Sequence, residues 1–273
     1  MKFGIMQGRL SPMIGNKIQS FPKKNWHKEF KLVNKIGLKY IEWTIDYKDF
    51  SKNPIFKNSG KKRIKKLSKK YNIKIMSLTA DCFMQKPFWK IKKNEEFLDD
   101  FRNLIKACEY LKIKYVIVPL VDKGSLRNIS DEKNLIKICK RKKNILIGTE
   151  IKILFESDYS PIKLKNFIKK LDKKYFGINY DMGNSAGLNF NCSKEFKAYG
   201  KFIKNIHIKD RIKYGTTVRP GFGNCDFTKV FSNIKKINYK GLLIFQTARP
   251  KKMQDLKEIL INLEYIKNII NDK

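Results

Sequence analysis

Lys152-Ile153-Leu154-Phe155-Glu156 is an apolar run of strand length that ends on a carboxylate, and Pro161 soon follows, where a helix can open without losing a hydrogen bond. The run does not alternate apolar with polar residues, so it reads as a strand covered on both faces, the pattern of a parallel sheet. Outward from it, the same unit repeats. Strands are expected at 3–7, 40–44, 73–79, 115–119, 176–180, 205–209 and 242–246. Helical patterns fill the gaps at 25–36 (with Gly37 as the stop), 60–71, 94–111, 131–143, onward from Pro161, and at 193–200, 227–236 and 253–270. The units average roughly 34 residues, enough for parallel crossovers. Eight of them close naturally into a ring, so the expected fold is α/β, a (β/α)8 TIM barrel, as a single domain over residues 1–273. A doubly wound open sheet would call for a glycine-rich phosphate turn after an early strand, and Gly4 and Gly8 do not form one. The longest connection without clear secondary structure is 210–226, which holds Gly215, Gly221 and Gly223 and has the length of a loop that covers a site.

The chain carries 61 Lys and Arg against 25 Asp and Glu, a formal charge of +36. Such a balance points first to nucleic acid or an anionic membrane. Only eight of the cations are arginines, the residue that forks onto phosphates and bases, and the lysines are spread along the whole chain. A solvated surface that attracts anionic small molecules fits better than a specific nucleic-acid tract. No apolar run nears the ~20 residues of a membrane span, and the N-terminus lacks a signal-peptide core, so a soluble cytoplasmic protein is expected. Five scattered cysteines without a CxxC pair argue against a disulfide framework and a thiolate zinc site.

In a barrel, chemistry gathers where strands end. Strand one ends in Gln7-Gly8-Arg9, strand two offers Glu42, strand three runs into Asp81 and strand four into Asp122. Strand five brings Glu156 and Asp158, strand six Asp181, strand seven His207, Lys209, Asp210 and Arg211, and strand eight Gln246 with Arg249 beyond. Glu156, Asp181, His207 and Gln246 lie at successive strand ends. They could surround one divalent cation, and hard oxygens with one imidazole suit Mn2+, Mg2+, Co2+ or Zn2+. Each alone has an ordinary structural explanation, as a helix cap, a lysine partner or a core histidine; the ordered set is what points to a metal. Asp181-Met182-Gly183-Asn184 reads as a tight turn with Gly183 supplying backbone freedom. Arg9, Arg211 and Arg249 could fork onto a phosphate or carboxylate.

These residues make the chain resemble the sugar phosphate isomerase/epimerase family, the xylose isomerase-like barrels. The resemblance spans nearly the whole chain and is carried by 4–12 (GIMQGRLSP), 41–43 (IEW), 154–158 (LFESD), 179–187 (NYDMGNSAG), 207–211 (HIKDR) and 245–249 (FQTAR). It implies a divalent metal at the C-terminal mouth, with the four ligand positions falling on Glu156, Asp181, His207 and Gln246. It also implies proton transfer beside a carbonyl through a metal-stabilised enediolate, with Glu156 as base. The second catalytic glutamate of the epimerases corresponds to Gln246, a departure, because an amide offers an oxygen but takes no proton near neutral pH. Another acid would then serve the second face, and Glu42, Asp81 and Asp158 are candidates. Asn184 stands where some ketose epimerases carry a histidine. Arg9, Glu42, Asn184, Lys209, Asp210, Arg211 and Arg249 are the expected substrate contacts.

The leading expectation is a metal-dependent isomerase or epimerase of a sugar or sugar phosphate, with a homo-oligomer compatible with the sequence. A dehydratase or lyase on the same barrel would begin with the same proton abstraction. A non-catalytic sugar-binding barrel is suggested by Gln246 alone. A metal-cluster nuclease on this scaffold needs several histidines, and the chain has only His27 and His207.

Overall fold

Alternating strand and helix segments form in the expected order. The computed structural model describes residues 1–15, 17–91, 95–249 and 255–271. Strands β1 (Lys2–Met6), β2 (Tyr40–Thr44), β3 (Lys74–Thr79), β4 (Tyr115–Leu120), β5 (Lys152–Ser157), β6 (Phe176–Asp181), β7 (Ile203–Ile208) and β10 (Leu242–Phe245) are all parallel and close in the order β1-β10-β7-β6-β5-β4-β3-β2. The outer helices are α1 (Trp26–Lys35), α2 (Asn58–Tyr71), α4 (Glu95–Leu111), α5 (Ile129–Lys142), α6 (Pro161–Ile168), α8 (Cys192–Tyr199), α9 (Phe227–Lys236) and α10 (Asp255–Asn271). The starts expected for α4 at 94 and for α10 at 253 lie outside the described residues. No helix among the described residues is long and apolar enough to cross a membrane. All five cysteines are free thiols.

Local chemistry sets the boundaries. Gly37 takes φ +77 after α1, a conformation that costs a residue with a Cβ, so the helix stops there. Asn128, Asn191 and Asp226 cap α5, α8 and α9 by accepting the backbone N–H of Asp131, Lys194 and Lys229. The segment after β7 is more ordered than its sequence suggests: β8 (Asp210–Arg211) pairs antiparallel with β9 (Thr217–Val218). The expected tight turn after β6 is a short helix, α7 (Met182–Gly187), whose first turn is capped by the Asp181 carboxylate through the Asn184 N–H at 2.7 Å. Gly183 does not take a positive φ; its role is space, since a Cβ there would lie 2.5 Å from Lys209 Cγ.

Apolar packing lies mostly between strands and helices, with Trp43, Phe155, Phe167, Phe231 and Phe245 fully buried. Met6, Leu242 and Ile244 form a separate small apolar cluster. Successive strand residues point to opposite faces, so every second residue looks inward. Toward the strand ends those inward positions turn polar: Glu42, Ser77, Thr79, Asn179, Asn205 and His207 are all buried. The interior of the ring thus combines a small apolar cluster with a polar layer.

Candidate active site at the barrel mouth

Glu42, Thr79, Asn179, Asn205 and His207 of the polar layer form one hydrogen-bonded network with Glu156. Asn205 donates to Glu42 Oε2 at 2.9 Å and to Asn179 Oδ1 at 2.8 Å, and Asn179 in turn donates to Glu156 Oε2 at 2.7 Å. His207, wholly buried, sits within it. Its Nε2 lies 2.8 Å from Glu42 Oε1, and its Nδ1 lies 3.0 Å from Glu156 Oε2 and 3.8 Å from Asp181 Oδ2. The Asp181–His207 approach follows from register, since the two are directly paired across β6 and β7.

Burial alone would discharge this imidazole, but the carboxylates of Glu42, Asp181 and Glu156 surround it and hold its pKa well above the usual histidine range. The reciprocal effect is seen on the acids. Burial would raise Glu42, yet His207 and the neighbouring hydroxyls bring it below its ordinary value. Asp181 is likewise opposed by burial, and Lys209 (Nζ 3.3 Å away) and His207 bring it down to about 2.

Glu156, Asp181 and His207 each present one ligand atom, and these three atoms lie within 4.8 Å of one another. Two hard oxygens and an imidazole nitrogen suit a divalent cation. The Glu42 carboxylate on the remote ring nitrogen is the usual arrangement behind a metal-bound histidine, where it fixes which nitrogen keeps its proton. Gln246 follows β10 and lines the same cavity, and its Oε1 is buried without a hydrogen-bond partner. An unpaired buried amide oxygen is costly, and a cation would relieve it. The residues present thus fit a divalent metal.

Above the cluster opens a cavity of about 550 Å3, lined among others by Arg9, Asp81, Glu156, Asn184, Lys209 and Gln246. Asn184 Nδ2 donates to Glu156 Oε1 at 2.7 Å, while its Oδ1 accepts from Lys209 Nζ at 3.1 Å and from Arg211 at 3.2 Å. Arg211, also at the wall, is anchored on the Gly215 carbonyl. Arg9 is held by the carbonyls of Thr247 and Ile18 and by the Gln19 amide. Its burial, with Arg249 nearby, lowers its pKa to about 10.

Three expected substrate contacts stand elsewhere. Glu42 is sealed behind His207 and does not line the cavity; its third donor is the Thr79 hydroxyl at 2.7 Å. Asp210 is buried and turned into its own loop, where it accepts the N–H groups of Arg211, Gly221, Gly223 and Cys225. Arg249 points back to the β1 loop, binding the Gly8 and Ser11 carbonyls and Asp255. The physical reason is common to all three: a buried charge is held by the nearest groups that satisfy it, and here those are protein groups. His27 lies on α1 against Trp26, away from the cavity.

Sequence reading missed Asn179, Asn205 and Glu29. The first two stand two residues before Asp181 and His207, hence on the same inward face, a parity visible in the sequence. Glu29 of α1 gathers the N–H groups of Gly8 and Leu10 and the Ser11 hydroxyl, which shapes the loop carrying Arg9; its burial outweighs these donors and raises its pKa to about 7. No local pattern marks it.

Residues 30–269 match the sequence model of the xylose isomerase-like TIM barrel. The chain belongs to this family. Among curated relatives, an uncharacterized protein of Methanocaldococcus jannaschii is 30% identical over 117 residues, 42% of this chain. The match spans only about two fifths of that relative, 39% of its length. The inosose isomerase of Bacillus licheniformis is 21% identical over 252 residues, covering 86% of this chain and 88% of the enzyme. Among solved structures, the IolI protein with a bound zinc atom superposes with a TM-score of 0.76 at 18% identity, covering 100% of this chain and 99% of its own, a likeness of fold.

Proposed function

We propose that this member of the family is a metal-dependent isomerase or epimerase of a sugar or sugar phosphate, acting in the cytoplasm. The observation that carries the reading is the convergence of Glu156, Asp181 and His207 beneath an open polar cavity, with the orphaned Gln246 oxygen at its wall. Glu156, Asp181, His207 and Gln246 would hold the cation, and Mn2+, Mg2+, Co2+ or Zn2+ suits that donor set. When bound, the metal supplies Lewis acidity that stabilises negative charge developing on the substrate oxygens.

The chain's own residues supply the rest. Glu156 removes the proton from the carbon beside the carbonyl, and Asn179 and Asn184, one on each carboxylate oxygen, fix its orientation. Lys209, Arg211 and Arg9 give the cavity three cations at the wall, which favours an anionic or hydroxyl-rich substrate. The zinc in the IolI structure and the isomerase activity of the inosose isomerase agree with this reading.

The test is solvent exchange. Protein loaded with Mn2+ or Zn2+ is incubated in D2O with an inosose, ketohexoses and ketose phosphates. Deuterium should enter beside the carbonyl, and Glu156→Gln should lower the rate by about 10²–10⁴-fold. Exchange at the wild-type rate in that variant removes Glu156 as the base; no exchange by the wild type with any probe removes the reading.

A further inference from the structure

Resting on the sugar-isomerase reading, we propose that Asp81 is the second proton-transfer residue of this site, serving the face of the sugar opposite Glu156.

The eighth strand end, which carries Gln246, cannot move a proton because an amide neither gains nor loses one near neutral pH. The remaining carboxyls on the cavity wall are Asp81, Asp122 and Asp158. Asp158 follows Glu156 on the same strand end and so approaches a substrate from the same side. Asp122 is exposed at the rim. Asp81 opens the short helix α3 (Asp81–Gln85) directly after β3. In the ring β3 stands opposite β7, which carries His207, and two strands from β5, which carries Glu156. β3 lies outside the β5–β6–β7–β10 arc that carries the ligand set, so a sugar held over that set meets Asp81 from another side than Glu156.

The state of the Asp81 side chain also sets it apart. It is only 6% exposed, yet its Oδ2 has no hydrogen-bond partner. The other buried carboxylates around the mouth are saturated: Glu42 has His207, Thr79 and Asn205, and Asp181 has the Asn184 N–H and Lys209. Buried polar atoms with a structural task are paired, and an unpaired one at a cavity wall is available to a ligand. Burial, with the carboxylates of Asp46 and Glu156 nearby, pushes the Asp81 pKa well above the usual range, against the opposing pull of His207 and Arg9. The carboxyl is thus shifted toward its protonated form, the form that can donate.

The step balances without a co-reactant. The C–H bond beside the carbonyl breaks, its proton passes to Glu156, and its electron pair enters the enediolate. The Asp81 O–H bond then breaks, its pair remains on the carboxylate, and a new C–H bond forms on the opposite face. One proton leaves and one arrives. Glu156 ends protonated and Asp81 ionised, and exchange with water resets both.

The experiment uses the intact metal-loaded protein and the same D2O probes, an inosose and ketohexoses, followed by NMR for two separate signals: deuterium in the recovered sugar and appearance of its epimer. Asp81→Asn should keep deuterium exchange through Glu156 within about threefold while losing inversion by roughly 10²-fold or more. Asp81→Glu should restore part of the inversion. Independently of activity, infrared difference spectra at neutral pH should show a protonated-carboxyl band in the wild type that Asp81→Asn removes. If Asp81→Asn does not fold, Asp81→Ser takes its place in both measurements. Undiminished inversion in the variant overturns the assignment, as do loss of exchange together with inversion, exchange without inversion in the wild type, or an unchanged carboxyl band. Only a wild type that exchanges no probe strikes the isomerase reading itself, and the assignment falls with it.

Discussion

Replacing Glu42 by glutamine separates an orienting role from a substrate contact. The carboxylate receives three donors in a fully buried position: His207 Nε2 at 2.8 Å and Thr79 Oγ1 at 2.7 Å on one oxygen, and Asn205 Nδ2 at 2.9 Å on the other. Glutamine keeps the shape and offers one oxygen in place of two. With that oxygen toward His207 and Thr79, its NH2 meets the NH2 of Asn205, so at least one buried donor loses its acceptor. That costs about 1–3 kcal/mol of stability in the metal-free protein. The remaining hydrogen bond no longer carries full charge, so the imidazole is a poorer ligand and turns more freely. Loss of such a partner weakens metal binding by about 10–100-fold, which corresponds to about 1.4–2.8 kcal/mol. Thermal denaturation of the apo protein reads the first quantity, and a chelator-competition titration with Zn2+ reads the second. A substrate contact would instead raise KM and leave Zn2+ affinity untouched. Zn2+ affinity within twofold of the wild type refutes the orienting role.

Three other outcomes follow from the same geometry. In the apo protein the His207 pKa is held above its ordinary value, because Glu42, Asp181 and Glu156 outweigh the effect of burial, so folding favours the protonated ring and binding a cation there displaces that proton. Calorimetric Zn2+ titrations in buffers of different ionisation enthalpy should show release of up to about one proton per ion, and a flat buffer dependence contradicts imidazole ligation. Gln246→Glu adds a charge to the ligand set and should tighten Zn2+ binding about tenfold or more; unchanged affinity would place Gln246 outside it. Asp81 is raised above 3.8 on folding, so the folded protein binds the extra proton; its contribution to stability is complete below that value and is lost as pH rises through the folded pKa. Asp81→Asn removes this loss, and its unfolding free energy should gain on the wild type's between pH 5 and pH 8, by up to about 1.4 kcal/mol per pH unit. An equal difference at both values shows that Asp81 ionises normally.

The alternation of buried apolar runs with amphipathic segments was legible because both periods are local: a strand covered on both faces is apolar throughout, and a helix repeats every few residues. That alternation determined the closed parallel barrel, and with it the rule that Glu156, Asp181, His207 and Gln246 stand at one end. Inward parity also marked Asn179 and Asn205, a signal present but unused. The partners of individual charges were a matter for tertiary structure. Glu42 meets His207 across 165 positions of chain and Arg249 meets Gly8 across 241, and nothing near either residue in sequence anticipates the pairing. A buried charge takes whichever donors or acceptors the closed ring brings within about 3 Å, so the fold alone decided that Glu42, Asp210 and Arg249 hold the scaffold while Asp81 keeps an oxygen free at the cavity.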